Sequence, residues 1–189
     1  MTVSVVWQVL YGSWFVSEIL VAVVTRTKNS SGRTRDRGSM LMLWIVNVAA
    51  ITACIWISEA TPANMFGGAR WLKPVSVVVM LLALAIRWTA IFSLGKAFSA
   101  NVAIRKSQQL NRTGMYRVVR HPSYLGLLLV FLAIGIHSRN WISLIIVTVP
   151  TTAVLLYRIR VEEIALNEAF GGEYAAYSHA TKRLIPGLY

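Results

Sequence analysis

The sequence predicts an all-α, polytopic membrane protein with about five transmembrane helices and a cytosolic C-terminal helical cap. Three observations predict it. Hydrophobic residues make up 56% of the chain and charged residues only 14%, where a soluble domain carries about 25% charge. Four or five apolar stretches of roughly 16 to 22 residues fill more than half the length, and a spanning helix needs about 20. The net charge of +12 falls mainly in the connections between those stretches. Lipid headgroups and topology account for it there, so membrane lipids rather than nucleic acid are the expected partner.

Taken in order, helix one is expected over 3–24. It lacks a basic n-region and carries Glu18, so it reads as a retained helix and not as a signal peptide. A basic connection with Arg26, Lys28, Arg33, Arg35 and Arg37 leads to helix two, over 40–60. A short loop with Pro62, Gly67 and Gly68 precedes helix three, over 74–94. The polar segment 95–121 follows, then helix four from Pro122 to about residue 136. A tight turn at 137–140 opens helix five near Trp141. Its pattern continues past Glu162 and Glu163 to Phe170, where Gly171-Gly172 ends it. The tail reads as a short helix with an extended end at Pro186. Little chain is left for a separate soluble unit, so the whole of 1–189 is expected to be one domain, with 1–91 as its N-terminal helices and 92–189 as the half that the resemblance given below implies is catalytic.

Orientation follows from charge. The first connection, the 95–121 segment and the chain after Leu156 hold five, six and four Lys/Arg, while the opposite side has Arg70, Lys73 and Arg139. The positive-inside rule then places the N-terminus outside and every polar cluster at the cytoplasmic face. Cys54 is the single cysteine, and no Cys/His spacing suits a metal. Nucleotide-binding glycine motifs and the Gly-x-Ser-x-Gly turn are absent, so any nucleotide-like cofactor is held without a Rossmann unit.

Two clusters carry the chemistry. Proline restrains the residue before it and suits a first helical turn, so helix four starts at Pro122 beside His121 and Arg120. Its free amides favour an anion. Tyr124 and Gly126 lie on that first turn, and Gly126 allows close approach of a helix or ligand. The second cluster is Glu162-Glu163. Arg158 lies four residues before Glu162 and can pair with it, yet adjacent carboxylates point about 100° apart, so one is left to meet another cation. Two features stay open. The stretch from Phe92 to Asn101 either lines a cleft or marks the interface belt. Arg87, deep in helix three, is either functional, with Glu18 as its partner, or snorkels to the headgroups. His137 and His179 read as isolated.

The run Arg120-His121-Pro122-Ser123-Tyr124-Leu125-Gly126, then Glu162-Glu163, then Phe170-Gly171-Gly172-Glu173-Tyr174-Ala175-Ala176-Tyr177, resembles the isoprenylcysteine carboxyl methyltransferase family. Phospholipid N-methyltransferases share its first two parts. The resemblance covers about residues 92–186, and the first two helices carry none of it. It implies S-adenosylmethionine as methyl donor. It also implies that His121, Tyr124, Gly126 and Glu163 contact that cofactor beside Pro122, and that Tyr116 and Arg120 shape its pocket. Arg158 would stand on the substrate side and Arg183 would close the site, with Arg158, Glu162 and His121 as the catalytic set. A lipophilic or lipid-anchored substrate would enter from the bilayer past Arg87 and Trp88. The leading expectation is carboxyl O-methylation of a prenylcysteine-type carboxylate. The alternatives are phosphatidylethanolamine N-methylation, a membrane reductase using NADPH, and a membrane scaffold without enzymatic activity.

Overall fold

The computed structural model describes residues 2–25, 32–34, 38–61, 66, 69–95, 98, 103–105 and 109–187. The basic side chains at 26, 28, 35 and 37, the loop residues Pro62, Gly67 and Gly68, and much of 92–101 lie outside them, so those expectations are not addressed. Six α-helices are described: α1 (Val3–Val24), α2 (Ser39–Ala60), α3 (Leu72–Leu94), α4 (Pro122–Ser138), α5 (Trp141–Phe170) and α6 (Gly172–Ala180). The helices α1, α2, α3 and α5 are each long and apolar enough to cross a membrane. The fifth apolar helix, α4, has 17 residues, about 26 Å at 1.5 Å per residue and a little short of a hydrocarbon core of about 30 Å.

The expectation of pure helix needs one amendment. Residues Gly32–Thr34 (β1) and Ala103–Arg105 (β2) pair antiparallel, with Arg33 opposite Ile104. Both belong to connections that read as irregular. A short ladder satisfies backbone groups that neither connection can satisfy alone, and it holds the two connections on one side of the bundle.

Packing is pairwise. The long contacts are α3 on α4, α2 on α5 and α4 on α5, while α1 leans on α3 alone among its larger contacts. The core gathers Trp14, Met80, Leu84, Val130, Phe131 and Leu155. Much of the remaining apolar surface faces outward, as on Val23, Leu41 and Trp56, which suits lipid. Gly126 explains the tightness of the α3–α4 pair. A Cβ there would lie 2.7 Å from the Arg87 Cβ and 2.8 Å from its Cα. Only a residue without a side chain lets the two backbones meet so closely.

At the far end of the bundle the α4–α5 turn is built around Asn140, which is fully buried. Its side-chain oxygen accepts from the amides of Ile142 (3.0 Å) and Ser143 (3.2 Å), capping α5. Its amide nitrogen donates to the carbonyl of Thr61 at 2.9 Å, tying the end of α2 to the same turn. His137, which the sequence left isolated, stacks on Trp7 with ring centroids 3.8 Å apart and shares a 2.9 Å hydrogen bond with Ser76. Asn140→Ala removes both roles of the cap and is expected to cost about 1–2 kcal/mol. Asn140→Asp keeps the cap acceptor but loses both bonds to Thr61 and sets a buried carboxylate oxygen against the Thr61 carbonyl. Thermal unfolding in detergent should therefore place both variants below wild type.

Candidate active site

Everything polar about the site begins at His121-Pro122. His121 sits just before α4 with φ −124° and ψ 57°, and Pro122 opens the helix, as the restriction on pre-proline residues requires. The ring of His121 does not cap the helix. It turns toward the α5 carboxylates, with Nε2 3.4 Å from Glu163 and Nδ1 3.9 Å from Glu162. The first-turn amides of Tyr124 and Leu125 bond to the His121 carbonyl. The anion site expected at this helix start is therefore narrower than the sequence implied.

The two α5 carboxylates diverge as adjacent helical positions must. Glu163 faces the tail. Its Oε1 accepts from Arg120 Nε at 3.0 Å and from Arg183 Nε at 3.1 Å, and its Oε2 lies 2.8 Å from an Arg183 terminal nitrogen. Arg120 also donates to the carbonyls of Ser178 (2.7 Å) and Thr181 (2.6 Å). Glu163 is thus held by two protein guanidinium groups, with His121 beside it. Glu162 faces the bundle, keeps 30% of its side chain exposed, and accepts from the Tyr124 hydroxyl at 2.7 Å. Tyr124 in turn accepts from Arg158 Nε at 3.0 Å. The chain Arg158–Tyr124–Glu162 joins α4 and α5 through one phenol.

The tail closes over this cluster. Val119 and Lys182 form a parallel bridge, with Arg120 N bonded to the Lys182 carbonyl at 2.8 Å and His121 N to the Arg183 carbonyl at 3.1 Å. Tyr177 is pushed up to about 12 by burial, so it remains a donor at neutral pH and reaches the Tyr116 carbonyl at 2.7 Å. Burial also raises Tyr116 and Tyr174. Tyr116 donates to the Ala90 carbonyl at 3.2 Å, which places it as a support of the pocket wall.

Toward the bilayer, the polar cluster meets a cleft between α1 and α2, with Leu127 and Phe131 of α4 among its lining. Phe98, Tyr124, Arg158 and Arg87 also line it, so part of the 92–101 stretch does face a cleft. Arg87 is paired with Glu18, as the sequence proposed. Its Nε contacts one carboxylate oxygen, a terminal nitrogen lies 2.6 Å from the other, and its second terminal nitrogen donates to the Ser123 carbonyl at 2.9 Å. Trp88 and Gly126 stand elsewhere. Trp88 donates to Ser17 at 3.3 Å on the α1–α3 contact, and Gly126 faces the Arg87 backbone. Trp88 was read as lining the substrate's path and Gly126 as a point of close approach for a helix or a ligand; here Trp88 meets Ser17 of α1 and Gly126 meets the α3 backbone. Sequence reasoning missed Ser39, whose hydroxyl accepts from Arg158 at 2.9 Å. It also missed Tyr174, whose buried hydroxyl has no partner among the described residues. No sequence spacing links position 39 to position 158. Tyr174 was quoted within a motif and given no role.

A model of the isoprenylcysteine carboxyl methyltransferase family matches residues 76–168, the span that holds α4, both carboxylates and Arg158. The chain is similar to this family over just under half of its length. Among curated members, protein-S-isoprenylcysteine O-methyltransferase B of Arabidopsis thaliana is 30% identical over 118 residues, covering 61% of this chain and 60% of that protein. The Rattus norvegicus protein-S-isoprenylcysteine O-methyltransferase is 29% identical over 189 residues, covering 96% of this chain and 63% of that protein. The chain therefore spans about 60% of the length of these relatives. The solved structure of the eukaryotic intramembrane Ras methyltransferase, an isoprenylcysteine carboxyl methyltransferase, superimposes with a TM-score of 0.65 at 26% identity, covering 76% of this chain and 52% of that one.

Two sets of variants separate organisation from folding. Glu18→Gln strands a buried guanidinium, and breaking such a pair costs about 3–5 kcal/mol. The double variant Glu18→Leu with Arg87→Met should regain most of that loss in thermal unfolding. For the tail, a double-mutant cycle between Arg183→Gln and Glu163→Gln should show coupling of about 1–3 kcal/mol in stability, and limited proteolysis should cut the tail faster in either single variant.

Proposed function

We propose that this protein transfers a methyl group from S-adenosylmethionine to the carboxylate of a lipophilic, prenylcysteine-type thioether acid, giving a methyl ester. The observation that carries the reading is the meeting of an ionic cluster at the α4 start with an apolar cleft that ends at Tyr124 and Arg158. One side suits a water-soluble ionic donor and the other a lipid-borne acceptor. Similarity to the family and the names of its curated members support the same chemistry.

The residues present fit the donor. Its amino-acid end is a zwitterion and its reacting centre a sulfonium. The cluster offers guanidinium groups beside two carboxylates, and the Tyr174 hydroxyl, without a partner among the described residues, is a buried hydrogen-bonding group nearby. Glu162, partly exposed, is the carboxylate available to a cation, while Arg120 and Arg183 fix Glu163. When bound, the donor supplies an electrophilic methyl carbon: a carboxylate oxygen forms the new O–C bond, the C–S bond breaks, and sulfur keeps the electron pair as a neutral thioether.

No proton moves in that step, so no general base is required. Arg158, only 3% exposed, holds the acceptor carboxylate in line, and its bonds to Tyr124 and Ser39 fix its plane. His121 braces the two carboxylates. The cleft keeps water from the reacting oxygen, which raises the value of each fixed charge. Basic connections paired through β1–β2 on the same side as the cluster favour a cytoplasm-facing site, with the N-terminus outside.

S-Adenosylhomocysteine at a thousandfold excess over its Kd should stabilise the purified protein by about 4 kcal/mol. Stabilisation by NADPH alone would overturn the proposal. Glu162→Gln is expected to slow methyl transfer from labelled S-adenosylmethionine to a farnesylated cysteine by about a hundredfold. Transfer to phosphatidylethanolamine, with none to the thioether acid, would assign the site to amine methylation.

A further inference from the structure

Two guanidinium groups line the cleft between α1 and α2, and they are partnered differently. Arg158 of α5 donates, among its contacts, to the hydroxyls of Tyr124 at 3.0 Å and Ser39 at 2.9 Å. Arg87 of α3 has a carboxylate of its own. Its Nε and one terminal nitrogen meet the two oxygens of Glu18, and its other terminal nitrogen donates to the Ser123 carbonyl at 2.9 Å. Glu18 lines the cleft as well, with 13% of its side chain exposed against 6% for Arg87. Arg87 also stands deeper. The β1–β2 ladder puts the start of α2 and the end of α3 on one side of the bundle. Arg87 lies about two turns inside the end of α3 at Leu94, whereas Arg158 reaches Ser39, the first residue of α2. A guanidinium stays charged at any working pH and draws an anion strongly where water is scarce. A lipophilic acid entering from the bilayer therefore has two places to set its carboxylate, and only Arg158 is linked through Tyr124 to the ionic cluster.

We infer that Glu18 is a specificity-determining residue: by pairing with Arg87 it denies the acceptor's carboxylate the deeper guanidinium and sends it on to Arg158, so that the acid binds in the reactive register. The inference rests on the proposed function for the role of Arg158. Arg87 has its own task, since it holds the Ser123 carbonyl in the first turn of α4, next to Tyr124. A guanidinium used in that way inside a membrane needs a counter-charge, and a built-in one keeps the ligand from supplying it. Without the Glu18 charge, a thioether acid that settles on Arg87 is bound but out of line with the donor. Such misplaced binding lowers kcat and KM by the same factor and leaves kcat/KM unchanged, because it competes with productive binding for the same cleft. Loss of a merely structural support lowers kcat/KM instead.

The test uses the full-length protein in lipid nanodiscs, with an S-farnesyl thioether acid and its neutral methyl ester as probes. Glu18→Gln is expected to lower kcat and KM for the acid together, each about tenfold, with kcat/KM held within about twofold. Adding Arg87→Met to that variant should raise both again. In thermal unfolding, the margin by which the acid stabilises more than the ester should be wider in Glu18→Gln than in wild type. Unchanged kcat and KM, a fall in kcat/KM, or an unchanged margin would each overturn the inference. Should Glu18→Gln reconstitute mostly unfolded, the acid should restore folded protein and the ester should not, and equal recovery with the two would overturn it as well. Should wild type leave the acid unmethylated while the margin still widens in Glu18→Gln, the role of Glu18 stands and the methyl-transfer reading falls.

Discussion

Three segments of the chain converge on one carboxylate. Glu163 projects from the end of α5 and is gripped by Arg120, just before α4, and by Arg183 in the tail. Isolated charges at a membrane edge are expensive, so a partly buried carboxylate with two guanidinium partners fixes the elements that carry them. The backbone bridge from Val118–His121 to Lys182–Arg183 runs alongside this pairing and adds neutral hydrogen bonds in the same register. While Glu163 meets these two guanidinium groups, its neighbour Glu162 faces the bundle, connected through Tyr124 to Arg158. The division of labour between two adjacent glutamates is thus a consequence of helical geometry combined with what each face meets.

A second constraint works from the bilayer side. α1 packs mainly on α3, and α2 on α5, so the space between α1 and α2 is left as a cleft. Arg87 and Glu18 close one part of it, and the pair is held in place by the Ser123 carbonyl and by the close α3–α4 contact at Gly126. The resulting geometry brings an aqueous ionic cluster and a lipophilic groove to the same pair of side chains, Tyr124 and Arg158. That junction is what a reaction between a soluble donor and a membrane-borne acceptor requires.

Several features were legible in the sequence because they depend on local chemistry. Hydropathy over about 20 residues marked the helices, and α1 and α5 match their expected bounds of 3–24 and 141–170. The pre-proline restriction placed the α4 start at Pro122, and Gly171 ended α5. The order of the Arg-His-Pro-x-Tyr-x-Gly, Glu-Glu and tail motifs marked the half of the chain that carries the site. Even the Glu18–Arg87 pair could be guessed, because a charge deep in a span must find an opposite charge at similar depth.

The tertiary structure decided which partner each of these groups takes. Side chains at a helix end can turn to several neighbours, and sequence spacing records only those on the same helix. So the sequence could offer Arg158 to Glu162 but could not show that Tyr124 stands between them, or that Ser39, over a hundred residues away, steadies the same guanidinium. It could read Gly126 as room for a ligand or a helix, and only packing showed that the Arg87 backbone fills that room. Local patterns determined the helices and the side of the bundle that bears charge. The choice between binding, bracing and packing for each polar residue came from distances between helices, which no stretch of sequence contains.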